Sequence, residues 1–167
     1  TGAAVLGTIM LIGFDPAMAL AGLSIYETAL SFDLSVIPLF VLMGTFASKS
    51  RISADLYDAF NHWLRKRQGG LAYATIAACG AFGAVCGSSL ATAATMGKVA
   101  LPQMDKYGYH PRLSTGAVAA GGTIGILIPP SVIMVIYGIL TETNIGDLFI
   151  AGIAPGLLLV VSFMVTV

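Results

Sequence analysis

Two short stretches hold the residues whose types and spacing could do chemistry: Gly121–Ser131, GGTIGILIPPS, and Gly87–Gly97, GSSLATAATMG. No acid and no His occurs anywhere in residues 68–97 or 113–141. Alone, they cannot assemble a nucleophile with its base, a carboxylate pair or a metal cluster. What they offer is neutral oxygen. Pro129 and Pro130 have no N–H, so in a continuous helix the carbonyls of Gly125 and Ile126, four residues back, would lose their donors. Ser88, Ser89 and Thr92, next to Gly87, add hydroxyls from a second place in the chain. Such oxygens suit a monovalent ion better than a divalent one, which usually takes carboxylates. The expected metal site is therefore Na⁺ between Ser88 and Ser89 on one side and Gly125 and Ile126 on the other. A helix starting at Ser88 or Ser89 would also present unpaired N–H groups, which favour an anion such as a carboxylate. The competing reading is structural: a proline kink, hydroxyls bonded back to their own helix, and Gly83 and Gly87 as a small-residue packing pair. Thr95 is assigned to that structural reading.

The elements that must position these stretches are membrane helices. Of 167 residues, 57% are hydrophobic and 10% charged, with a mean hydropathy of +0.90. Soluble domains carry about 25% charged residues. A break of glycines and prolines inside an apolar run is costly in hydrocarbon. It survives where it faces protein, water or an ion. Net charge is zero, but all eight Lys and Arg fall between Lys49 and Arg112. The positive-inside rule puts that middle region in the cytoplasm. Cys79 and Cys86 lie in apolar sequence and read as small buried hydrophobes rather than a disulfide or metal pair. The chain opens at Thr1 without an initiator Met and ends at Val167, both in apolar sequence. The expectation is a fragment without a signal peptide: a single, partial membrane domain over residues 1–167.

In order, residues 1–14 read as the end of a membrane helix, Asp15-Pro16 as a break, and Pro16 to about Ser31 as a second apolar helix carrying Glu27. Asp15 reads as a helix-starting acid rather than an intramembrane functional group. Leu34–Ser48 is a firmer segment running into Lys49 and Arg51. Ser53 is expected to cap the next helix, with Ile52, Leu56, Phe60, Trp63 and Leu64 on the apolar face of an amphipathic, interfacial helix. Arg65–Arg67 close it. The uncharged run Gln68–Gly97 is long for one span. A re-entrant hairpin with its tip near Cys86–Leu90 keeps every basic residue on one side, whereas a single span would not. Pro102–Pro111 reads as a cytoplasmic turn. The broken helix follows, then an outer loop, Thr141–Asp147, and a final span, Leu148–Val167.

GSSLATAATMG, and GGTIGILIPPS followed by Tyr137-Gly138, resemble the large membrane subunit of TRAP transporters, the tripartite ATP-independent periplasmic transporters best known for C4-dicarboxylates. IPLFVLMG (Ile37–Gly44), Gly69-Gly70-Leu71-Ala72, MDKYGY (Met104–Tyr109) and LFIAGIAPGLLL (Leu148–Leu159) add to the resemblance, in the family's order from about residue 34 onward. Residues 1–33 match poorly. The resemblance implies an all-α polytopic membrane protein of the bacterial or archaeal inner membrane, here the first of two inverted repeats of an elevator-type importer. It implies a periplasmic solute-binding protein and a small membrane subunit as partners, an organic anion as substrate and a Na⁺ gradient as the drive, with no enzymatic activity, cofactor or nucleic acid. Carried over by motif, Ser88 and Ser89 belong to the hairpin tip. Gly122, Thr123, Gly125, Pro129, Pro130 and Ser131 belong to the broken helix.

Two other readings compete. An intramembrane enzyme would need a base that neither stretch supplies. An ion channel would need a charged ring or a filter, though a re-entrant hairpin can line a pore.

Overall fold

The computed structural model describes residues 2–30 and 32–167. Ser31, where the second apolar segment was expected to end, lies outside the described residues. Among the described residues every regular element is an α-helix. The chain divides into two compact units, residues 1–36 and 37–167.

In the first unit, α1 (Gly2–Ile12) and α2 (Phe14–Ala29) pack on each other. The break comes at Gly13 and not at Asp15-Pro16. Asp15 and Pro16 sit in the first turn of α2, where an acid favours the helix dipole and a missing N–H costs nothing. α3 (Phe32–Lys49) belongs to the second unit from Ile37 onward.

The second unit is built around α5 (Gly70–Cys86). It packs against α4 (Ile52–Leu64), α6 (Ser89–Lys106), α7 (Pro111–Ile124) and α9 (Ile145–Thr166). Thirteen of its residues are buried, most of them Ala, Gly, Cys and Thr, so neighbouring helices meet it on all sides. α5 and α6 form an antiparallel hairpin. At its base the Leu71 N–H donates to the Tyr109 hydroxyl at 3.4 Å, and the Thr75 hydroxyl lies 3.6 Å from Met104 Sδ. α9 returns to the same end, where Phe163, Thr166 and Val167 line a small cavity with Arg112 and Leu113 at the start of α7. α8 (Val132–Leu140) packs on α9. α9 is the one described helix long and apolar enough to cross a membrane; Val36–Lys49 and Gly70–Cys86 are shorter apolar helices.

Four local expectations change. Ser53 is not a cap. It lies inside α4 and is buried, while the Ile52 N–H uses the Ser50 hydroxyl at 3.3 Å. The buried face of α4 runs through Ser53 and Tyr57, with Leu56, Phe60 and Leu64 beside it. Ile52 and Trp63 turn outward, Trp63 to 82% exposure. α6 continues through Pro102 to Lys106, and the turn is only Tyr107–His110. α9 starts three residues earlier than Leu148, because the Asn144 side chain caps it by accepting from the Gly146 N–H at 2.8 Å.

Candidate functional site

The hairpin tip and the helix break meet. α5 ends on Gly87, which is left-handed at φ 62° and donates its N–H to Gly83 O at 2.8 Å. Ser88 is extended and caps α6 by accepting from the Ala91 N–H at 3.4 Å. α7 stops at Ile124 and tightens there: the N–H groups of Leu127 and Ile128 both reach Ile124 O, at 3.0 and 3.1 Å. The chain then crosses Gly125–Pro130 without helix, and Ser131, again extended, opens α8.

Contacts across the gap are main chain on main chain. The Val132 N–H donates to Gly87 O at 3.4 Å. A Cβ on Gly87 would lie 2.6 Å from Pro130 O, and one on Gly83 would lie 2.6 Å from Gly125 Cα. A Cβ on Gly125 would stand 2.8 Å from Thr92 Oγ1. Only glycine permits such an approach. Two helix C-termini (α5, α7) and two helix N-termini (α6, α8) therefore converge in one place, the arrangement that holds cations by carbonyls and anions by N–H groups.

Of the residues singled out in the sequence, Gly87, Ser88, Ser89, Thr92, Gly125, Ile126, Pro129, Pro130 and Ser131 all lie at or beside this junction. Their oxygens differ in availability. The Thr92 hydroxyl is buried and donates to Ser88 O at 2.8 Å, with Cys86 Sγ 3.0 Å away. Ser88 O also accepts the Thr92 N–H, so both Ser88 oxygens already have partners. Gly125 O and Ile126 O accept no hydrogen bond among the described residues. Ser131 Oγ is fully buried with no partner among them. Gly122 instead packs against Ala93, 2.7 Å from a Cβ placed on it, and the exposed Thr123 bonds back to Ala120 O at 2.7 Å. These last two stand off the junction.

Sequence reasoning placed a helix over Leu34–Ser48 but missed the part that α3 plays at the tip. A cavity of about 450 Å³ opens beside the tip, lined by Cys86–Ala91, Ile126, Val132 and Ile133 and, from α3, by Val41, Gly44, Thr45, Ser48 and Lys49. A Cβ on Gly44 would lie 3.0 Å from Cys86 O, so α3 also rests on the tip. The available signal was the Gly44/Ser48 spacing, a small-residue pair one helical turn apart. No group of three His, Cys, Asp or Glu able to hold a metal ion occurs among the described residues.

Residues 2–167 match the model of the DctM component of tripartite ATP-independent periplasmic transporters. The chain is 42% identical over 160 residues to the C4-dicarboxylate TRAP transporter large permease protein DctM of Pseudomonas aeruginosa, covering 96% of this chain and 37% of that protein. It is 39% identical over 157 residues to the isethionate TRAP transporter permease protein DctMQ of Oleidesulfovibrio alaskensis, covering 94% and 25%. It is 37% identical over 168 residues to the ectoine TRAP transporter large permease protein TeaC of Halomonas elongata, covering 96% and 39%. The chain thus spans a quarter to two fifths of the length of these relatives, which are named as transport permeases and not as enzymes. An all-helical chain with a glycine-tipped hairpin against a proline-broken helix, matched over nearly its whole length, belongs to the large permease (DctM) family of TRAP transporters.

Proposed function

We propose that this chain is the first repeat of an elevator-type, Na⁺-coupled permease of the bacterial or archaeal inner membrane. It imports a small organic anion handed over by a periplasmic solute-binding protein, with a small membrane subunit as partner. The observation that carries the reading is the junction itself, where unpartnered neutral oxygens of Gly125, Ile126 and Ser131 meet the N-terminal ends of α6 and α8. Na⁺ is held by neutral oxygens at the carbonyl ends, and the anion by the N–H ends. Each then stabilises the other's site, and the coupling is reciprocal. The relatives' names give the solute class: C4-dicarboxylate, isethionate, ectoine. The test is uptake of these three solutes into proteoliposomes holding the complete permease, its small subunit and the binding protein. Uptake that ignores both the Na⁺ gradient and the binding protein would end this reading.

Two predictions arise from it. Residues 68–97 enter and leave the membrane on the cytoplasmic side as a re-entrant hairpin. Single cysteines at Gln68 and Lys98, in a background without Cys79 and Cys86, should be labelled only from the cytoplasm. Periplasmic labelling of either would refute that topology. Secondly, Ser89→Ala should raise the Na⁺ concentration for half-maximal uptake more than it alters docking of the binding protein. Ser88→Ala should do so less, its hydroxyl being engaged at the Ala91 N–H. Unchanged Na⁺ dependence in both, at normal expression, removes these serines from the ion site.

A further inference from the structure

We infer that Lys49 is the side chain that receives the anionic group of the solute at the hairpin tip. The inference rests on the transport reading above and gives the substrate site a named cation. Lys49 ends α3 and lines the cavity of about 450 Å³ beside the tip. That volume is within the range of roughly 300–1,000 Å³ typical of small-molecule sites. It is the one charged residue among those lining the cavity, and no acid lines it. The other polar side chains there are the hydroxyls of Thr45, Ser48, Ser88 and Ser89 and the Cys86 thiol, so nothing in the wall neutralises the ammonium. The remaining wall is largely apolar, and an anion entering it without a counter-charge would suffer a large desolvation penalty. Lys49, exposed at the cavity's edge, supplies a full counter-charge beside the N–H ends of α6 and α8, and its long stem lets the head follow the bound group. The alternative role is a plain surface lysine at a helix C-terminus, complementing the dipole and the lipid headgroups. A solute carboxylate or sulfonate and a headgroup phosphate share the same chemistry, so the experiment separates them.

Lys49 variants of the complete permease, with its partners, are compared in proteoliposomes using succinate, isethionate and ectoine as probes. Lys49→Gln should lower uptake of the transported probe by about tenfold, the scale of losing a charged hydrogen bond. Lys49→Arg should keep most of it. Lys49→Cys, without Cys79 and Cys86, should regain uptake with the cationic reagent 2-aminoethyl methanethiosulfonate but not with the anionic sulfonatoethyl reagent, and the probe should slow both modifications. Wild-type rates in Lys49→Gln, or equal recovery with either reagent, overturn the inference while leaving the transport reading intact. A Lys49→Gln defect that vanishes in vesicles without anionic lipid assigns Lys49 to a headgroup and also overturns it. Wild-type protein that takes up none of the three probes refutes the transport reading, and this inference with it.

Discussion

Gly87→Leu should abolish uptake, and Gly87→Ala should already reduce it severely. At φ 62° a side chain is strained whatever the space around it, by about 1–2 kcal/mol. Its Cβ would also lie 2.6 Å from Pro130 O, a main-chain atom that cannot swing aside. Gly83→Leu should act the same way, since its Cβ would stand 2.6 Å from Gly125 Cα. From sequence, these glycines were expected to allow close helix approach at the hairpin, with no partner named. The close partner is the helix break. Membrane insertion should survive, because neither substitution lowers the hydropathy of α5, so uptake is normalised to protein recovered as a single folded species. Near-normal uptake by correctly inserted Gly87→Leu protein would mean that the tip is not seated on the break.

Ser131→Ala should separate stability from function. A buried hydroxyl without a partner costs about 1–3 kcal/mol, so removing it should leave thermal stability unchanged or raise it. If Ser131 Oγ helps to hold Na⁺, half-maximal uptake should need about tenfold more Na⁺, the loss expected for one ligand oxygen contributing roughly 1.4 kcal/mol. Unfolding of the detergent-purified protein and the Na⁺ titration of uptake are the two readouts. A destabilised variant with an unchanged Na⁺ titration would make Ser131 a structural residue.

The junction was legible in the sequence because its causes are local. Paired prolines break a helix wherever they fall, and glycines at 83 and 87 before Ser88-Ser89 leave few other outcomes than a tight turn between helices. The availability of each oxygen was not legible. Ser88, Ser89 and Thr92 have similar chemistry on paper. Only the fold spends the Thr92 hydroxyl on Ser88 O and the Ser88 hydroxyl on the Ala91 N–H. The wall supplied by α3 was hidden for a different reason. Lys49 looked like a membrane-edge cation, and nothing in its own neighbourhood reveals that it shares a cavity with residues forty positions later. Ser53 shows the limit of end-signal reasoning, since Ser50 stood closer to the true start of α4 and did part of the expected work.

The meeting of four helix ends has an electrostatic consequence for the protein itself. The C-termini of α5 and α7 are like poles, and so are the N-termini of α6 and α8. Like poles repel and unlike poles attract, and here unlike poles meet directly: the Val132 N–H at the start of α8 donates to Gly87 O at the end of α5, at 3.4 Å. The junction thus concentrates partial charges of both signs without a charged residue in Gly87–Ser89 or Gly125–Ser131. On the proposed reading, a cation at the carbonyl ends and an anion at the N–H ends would each complement these poles, and each bound ligand would add to the stability of the junction.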